Sequence, residues 1–135
     1  MKEKNNRFKL AKEWFDIGEE EFNFAQSSFE EFNRFYPQIC FQCQQAVEKY
    51  LKGFLVLHTK KVPRIHDLPE LVKICSKINK EFSKFLEKAS ILSQFYIITR
   101  YPLEYPPAGK KEAEECLIIA EEIISFIKKF VRNPN

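Results

Sequence analysis

Gln44-Gln45-Ala46-Val47-Glu48-Lys49-Tyr50-Leu51-Lys52 runs without a break into Gly53-Phe54-Leu55-Val56-Leu57. In a helix, residues three and four apart share a face. Cys40, Cys43, Val47, Tyr50, Phe54 and Leu57 then make an apolar seam, with Gln45, Glu48, Lys49 and Lys52 as a polar ridge beside it. The reading predicts a helix from about Pro37 to His58. The Tyr36-Pro37 step marks its start, because the residue before a proline is pushed out of helical geometry.

The flanking sequence has the same character. Phe8, Phe15, Phe22 and Phe29 recur every seven residues, and Ala11, Gly18, Ala25 and Phe32 repeat with the same period. This is a heptad seam of large and mostly small residues, which lets a neighbouring helix approach closely. Trp14, Phe24 and Phe35 lie off it, so this first helix has a second apolar contact: either a wide core or a self-association surface. Thr59 to Ile65 reads as an exposed loop. Asp67-Leu68-Pro69-Glu70 is a helix start with a capping residue and an early proline; it opens a short helix to about Ile78. Asn79 caps a fourth helix with the seam Phe82, Phe85, Ala89, Leu92, Tyr96 and Thr99. Prolines 102, 106 and 107 forbid its continuation. A fifth helix starts near Lys110. Ala113, Leu117, Ala120, Ile124, Ile127 and Val131, widened by Cys116, Ile119, Ile123 and Phe130, put this helix at the centre. The expected fold is all-α: an antiparallel up-and-down four-helix bundle with an additional short helix, five in all. At 135 residues it is read as one domain, with a core from about 8 to 131.

Composition narrows the function classes. Fourteen Phe supply volume for a filled core. A formal net charge of +3 is too mild for the strongly basic face expected of a duplex DNA binder. No run of about 18 apolar residues is present, so no membrane span is expected. The charged start Met1-Lys2-Glu3-Lys4 leads into no apolar stretch of the secretory kind, which makes the cytoplasm the expected compartment. Cys40 and Cys43 have the spacing of half a zinc site, but Cys75 and Cys116 stand far away. The four are read as reduced core cysteines, with no metal and no cofactor expected.

Three places can carry chemistry. His66 precedes a helix start, where an imidazole can either meet a phosphate or order the turn. Arg100 precedes the proline-rich loop; its planar fork suits phosphate, and it can equally pair with Glu48. Tyr101 or Tyr105 can stack on a base. Gln45, Lys49 and Lys52 either line the same groove or form a solvated face.

The ordered set Gln-x-x-Glu-Lys-x-Leu-Lys from Gln45 to Lys52, then His66-Asp67-Leu68, then Arg100-Tyr101-Pro102, resembles the HEPN family of small helical domains (higher eukaryotes and prokaryotes nucleotide-binding), from about Phe8 to Val131. The resemblance implies a homodimer that binds a nucleotide or RNA, with Gln45, Lys49, Lys52, His66, Arg100 and Tyr101 as binding residues. It further implies a partner, a minimal nucleotidyltransferase, in a toxin–antitoxin-like pair. Many members are metal-independent ribonucleases whose signature is an Arg and, after four to six intervening residues, a His. Here no His follows Arg100; Tyr105 is the nearest side chain in that window. A tyrosine of ordinary pKa near 10 is a poor base at neutral pH. Catalytic residues are therefore expected to be none. The alternatives are a ribonuclease toxin with a degenerate motif and a scaffold that binds nothing.

Overall fold

The computed structural model describes residues 2–59, 61–96, 101–104 and 106–131. Five α-helices build it: α1 (Lys2–Glu31), α2 (Tyr36–His58), α3 (Leu68–Ser76), α4 (Leu86–Ser93) and α5 (Lys110–Lys128), with 3-10 turns at Lys80–Phe85 and Pro102–Glu104. Among the described residues there is no strand.

The pairing of α1 and α2 rests on two glycines. A Cβ on Gly18 would lie 2.8 Å from the Tyr50 ring, and one on Gly53 would run into the ring of Phe15. Each helix thus presses an aromatic ring into a gap on the other, and the two rings sit 5.3 Å apart. This is the large-small heptad pattern in three dimensions. Ala11, Phe15, Gly18 and Ala25 are buried, whereas Phe8, Phe22 and Phe29 are half-buried. Phe32, expected in the seam, is exposed, because the helix ends one residue before it. The chain then turns through Phe35, whose φ of 68° is left-handed. A bulky side chain there costs about 1–2 kcal/mol. Contacts with Phe32, edge-on at 5.6 Å, and with the Arg34 guanidinium, 4.3 Å above the ring, offset it.

The helix at the centre is α2 rather than α5. It packs against α1, α3, α4 and α5, while α5 packs against α1, α2 and α4. Ile39, Cys40, Cys43, Ala46, Val47, Tyr50, Leu51, Phe54, Leu55 and Val56 are all buried. Period alone cannot rank two helices with equally wide apolar faces; the loops decide which one is surrounded. Phe54, Phe82, Phe85, Phe126 and Phe130 form a chain of ring contacts with centroids 4.6–6.4 Å apart, so much of the phenylalanine content fills one cluster.

The caps are where the residue types demanded them. The Glu70 N–H donates to the Asp67 carboxylate at 3.1 Å and the Glu81 N–H to Asn79 Oδ1 at 3.0 Å. What Asn79 opens is a 3-10 turn, and α4 proper begins only at Leu86. The spacing of Phe82 and Phe85 suits either helix type. Thr99, the expected end of that seam, lies outside the described residues.

Candidate functional site

Gln44, Glu48 and Lys52 stand four residues apart on α2, one above the other. All three are buried, at 0%, 3% and 5% relative exposure. Charged groups are rarely found so far from water unless paired, and these are. Glu48 Oε1 accepts from Gln44 Nε2 at 3.2 Å. Glu48 Oε2 accepts from Lys52 Nζ at 2.9 Å and from His66 Nδ1 at 2.8 Å. Gln44 Nε2 also donates to the His66 carbonyl at 3.2 Å, which ties the loop before α3 to α2.

His66 is the outward end of this network. Its side chain is half exposed, and its ring stacks on Tyr96 with centroids 4.6 Å apart and planes within 14°. Phe41 backs Tyr96 at 6.2 Å. Burial, and then the charge of Glu48, push the Tyr96 hydroxyl above its ordinary pKa, so it stays protonated. An ionised carboxylate can only accept, so Nδ1 is the donor in this contact. At the inner end, the Lys52 ammonium lies 5.9 Å over the Trp14 ring. Ser93 Oγ accepts from the Leu68 N–H at 3.1 Å, fixing the start of α3 beside the site. Among the described residues, the side-chain oxygens of Gln44 and Gln45 are buried without a hydrogen-bond partner.

Of the residues singled out from sequence, the structure brings Lys52 and His66 together around Glu48. Lys49 points elsewhere: its Nζ pairs with Glu21 of α1 at 3.3 Å. Gln45 is half-buried. Tyr101 is 78% exposed, at the start of the 3-10 turn, where its N–H donates to Glu104 Oε1 at 2.9 Å. Arg100 and Tyr105 lie outside the described residues. The polar ridge is therefore not one solvated face: Glu48 and Lys52 turn inward. Gln44 belongs to neither face in the sequence pattern. Its signal is its place four residues before Glu48, at the head of a polar line crossing an apolar helix.

The four cysteines are free and buried. Burial pushes the Cys75 thiol up to about 12, which suits core packing and opposes thiolate chemistry. No group of His, Cys, Asp or Glu that could hold a metal is found among the described residues. No helix of the described residues is long and apolar enough to cross a membrane.

An all-helical bundle with a buried Gln–Glu–Lys line, a histidine clamped to it and an Arg-Tyr-Pro segment downstream defines a class of small helical domain. A family model described as HEPN domain matches residues 11–130. The chain belongs to the HEPN domain family. It is 26% identical to the Methanocaldococcus jannaschii protein named "Putative toxin MJ1304", over 98% of this chain and 95% of that one. It is similar in structure to TT1696 from Thermus thermophilus, with a TM-score of 0.77 at 29% identity over 88% of this chain and 96% of that one. It also shares its fold with ST0689, an archaeal HEPN homologue, with a TM-score of 0.68 at 23% identity over 90% of this chain and 98% of that one.

Proposed function

We propose that this chain is a nucleotide- or RNA-binding protein that acts as a homodimer in a toxin–antitoxin-like pair, with a minimal nucleotidyltransferase as its partner. The observation that supports binding is the clamped His66. Its imidazole is held by a buried carboxylate and a stacked ring, half open to solvent, and so is pre-positioned to meet a phosphate oxygen. Arg100 and Tyr101, beside it in the family's motif order, supply a phosphate fork and an exposed ring. Lys49, held by Glu21 of α1, and the half-buried Gln45 are left out of the binding set in this reading. The pairing with another protein is supported by the relative named as a toxin.

The reading is of binding without cleavage. The ribonuclease signature requires a histidine after four to six intervening residues, and the sequence has Tyr105, Pro106 and Pro107 at those positions. Titration calorimetry with nucleoside mono- and triphosphates and with short RNA tests the proposal. Saturable binding below millimolar concentration that weakens with salt is expected. Its absence in the folded protein overturns the binding reading in favour of a scaffold. Co-purification with the product of a neighbouring nucleotidyltransferase reading frame tests the pairing.

A further inference from the structure

At the C-terminal end of α2 the bundle leaves a hollow whose lining includes no residue of the Gln44–Glu48–Lys52–His66 site. Three segments build it: the end of α2 at His58, the turn Asn79–Lys80 after α3, and Lys129–Phe130 just past α5. Its volume is about 600 Å³, within the range of small-molecule sites. Phe54 is its buried floor and Phe130 a half-buried wall, with the two rings edge-on and 6.4 Å apart. The His58 ring leans on Phe54 with centroids 4.5 Å apart.

The polar groups around these rings favour an acceptor. Lys80 and Lys129 line the hollow from two different segments, and no carboxylate is among its lining residues. Neighbouring Lys73, Lys88 and Lys128 are tied to Glu70, Glu122 and Glu19; Lys80 and Lys129 have no ion pair among the described residues. Asn79 uses its side-chain oxygen to accept from the Glu81 N–H, so its amide nitrogen, a donor, is what it can offer a ligand. Burial, and then the Arg7 guanidinium, lower the His58 pKa, which leaves His58 an uncharged flat ring near neutral pH. The helices α2, α3 and α5 all end here, and each C-terminus carries roughly half a negative charge. Lys77 at the end of α3, Lys80 and Lys129 outweigh that sum.

We propose that this hollow binds a small aromatic anion, its ring lodged against Phe54, His58 and Phe130 and its phosphate or carboxylate between the Lys80 and Lys129 ammoniums. Burying the ring drives entry, and the two cations set its direction. A free phosphate would leave the rings in water, and an uncharged ring would leave the lysines without a partner. The site is separate from the His66 site and does not rest on the function proposed for it. Gln44, which holds the His66 carbonyl, stands fourteen residues before His58 on α2, about 21 Å away along the helix.

Nuclear magnetic resonance on the full chain tests it, with phenyl phosphate, benzoate and AMP as probes. The chain has two histidines, so the His58 imidazole signals are readily followed. A saturable shift of those signals is expected, and the order of the three affinities tells whether the hollow favours a phosphate, a carboxylate or a nucleobase as ring. Inorganic phosphate and benzyl alcohol, each carrying half of the contact, are expected to bind roughly tenfold more weakly or worse. Lys80→Ala combined with Lys129→Ala is expected to weaken the probes roughly tenfold or more, with the helical circular dichroism kept. Lys111→Ala, at the opposite end of α5, is expected to leave them unchanged. The inference falls if no probe shifts His58 at millimolar concentration, if inorganic phosphate binds as well as phenyl phosphate, or if the double variant binds like wild type. It also falls if His66→Ala abolishes the shift, which would assign the probes to the His66 site. Failure at the hollow leaves the reading of His66 standing.

Discussion

His66 Nδ1 lies 2.8 Å from Glu48 Oε2, so a half-exposed ring is anchored to a carboxylate that is itself only 3% exposed. One end of the contact faces solvent and the other sets the electrostatics of the core. The two residues are therefore expected to separate stability from binding when each is replaced.

Glu48→Gln removes the charge that Lys52 and His66 share. Lys52 then keeps a buried ammonium with no carboxylate. Breaking a buried pair from one side costs about 3–5 kcal/mol, which urea denaturation will show as a lower midpoint. Adding Lys52→Met removes the stranded charge, and the double variant is expected to be more stable than Glu48→Gln alone. A double variant as weak as the sum of the two single ones would mean the pair is not coupled.

His66→Ala is expected to change stability by less than about 1 kcal/mol, in keeping with a partly exposed ion pair. Nucleotide or RNA affinity should fall by about 1.5–3 kcal/mol, the range for a hydrogen bond to a charged group. Arg100→Ala should lower affinity similarly and flatten its salt dependence. If His66→Ala leaves affinity intact and lowers the melting temperature, the histidine only orders the turn before α3.

His58 supplies a pH signature. Burial, and then the Arg7 guanidinium, hold its pKa below the ordinary 6.5. The unfolded chain therefore binds a proton more readily, between the depressed value and about pH 6.5. In that window stability rises with pH, and it is reduced as His58 is forced to charge in acid. His58→Gln is expected to shrink the difference in stability between pH 5 and pH 7. An unchanged difference would show that His58 does not titrate across folding.

How far the chain could be read depended on whether a property was local. Cys40, Cys43, Val47, Tyr50 and Phe54 are buried as their period requires, and Asp67 caps the helix it precedes. Both follow from a few residues and helix geometry. The burial of Glu48 and Lys52 was not legible. A carboxylate enters a core only if donors come with it, and one of these, His66, arrives from eighteen residues away along a loop. Lys49 shows the same limit in reverse. Its acid partner, Glu21, sits on another helix 28 residues upstream, so nothing near Lys49 marked it as a strut rather than a ligand contact.

Gly53→Ala tests the α1–α2 contact. Alanine favours a helix by about 0.8–1.0 kcal/mol over glycine, yet its methyl would occupy space taken by the Phe15 ring. Overpacking of this kind costs about 1–3 kcal/mol, so a net loss is expected in thermal melts. Phe15→Leu in the same chain should recover part of it. A Gly53→Ala variant more stable than wild type would show that the ring moves aside freely.

The reciprocal seating of Phe15 at Gly53 and Tyr50 at Gly18 also acts as a gear lock. To slide α1 along α2 by one residue, both rings would have to lift out of their notches at once, each into facing backbone. A close-packed interface has no intermediate setting between two such positions. The pair therefore translates and rotates as one rod. Any strain introduced at His66 or Tyr96 is taken up on the α3–α4 side, which is fastened to that rod through Glu48 and Gln44, and the α1 face is presented with fixed geometry whatever happens there.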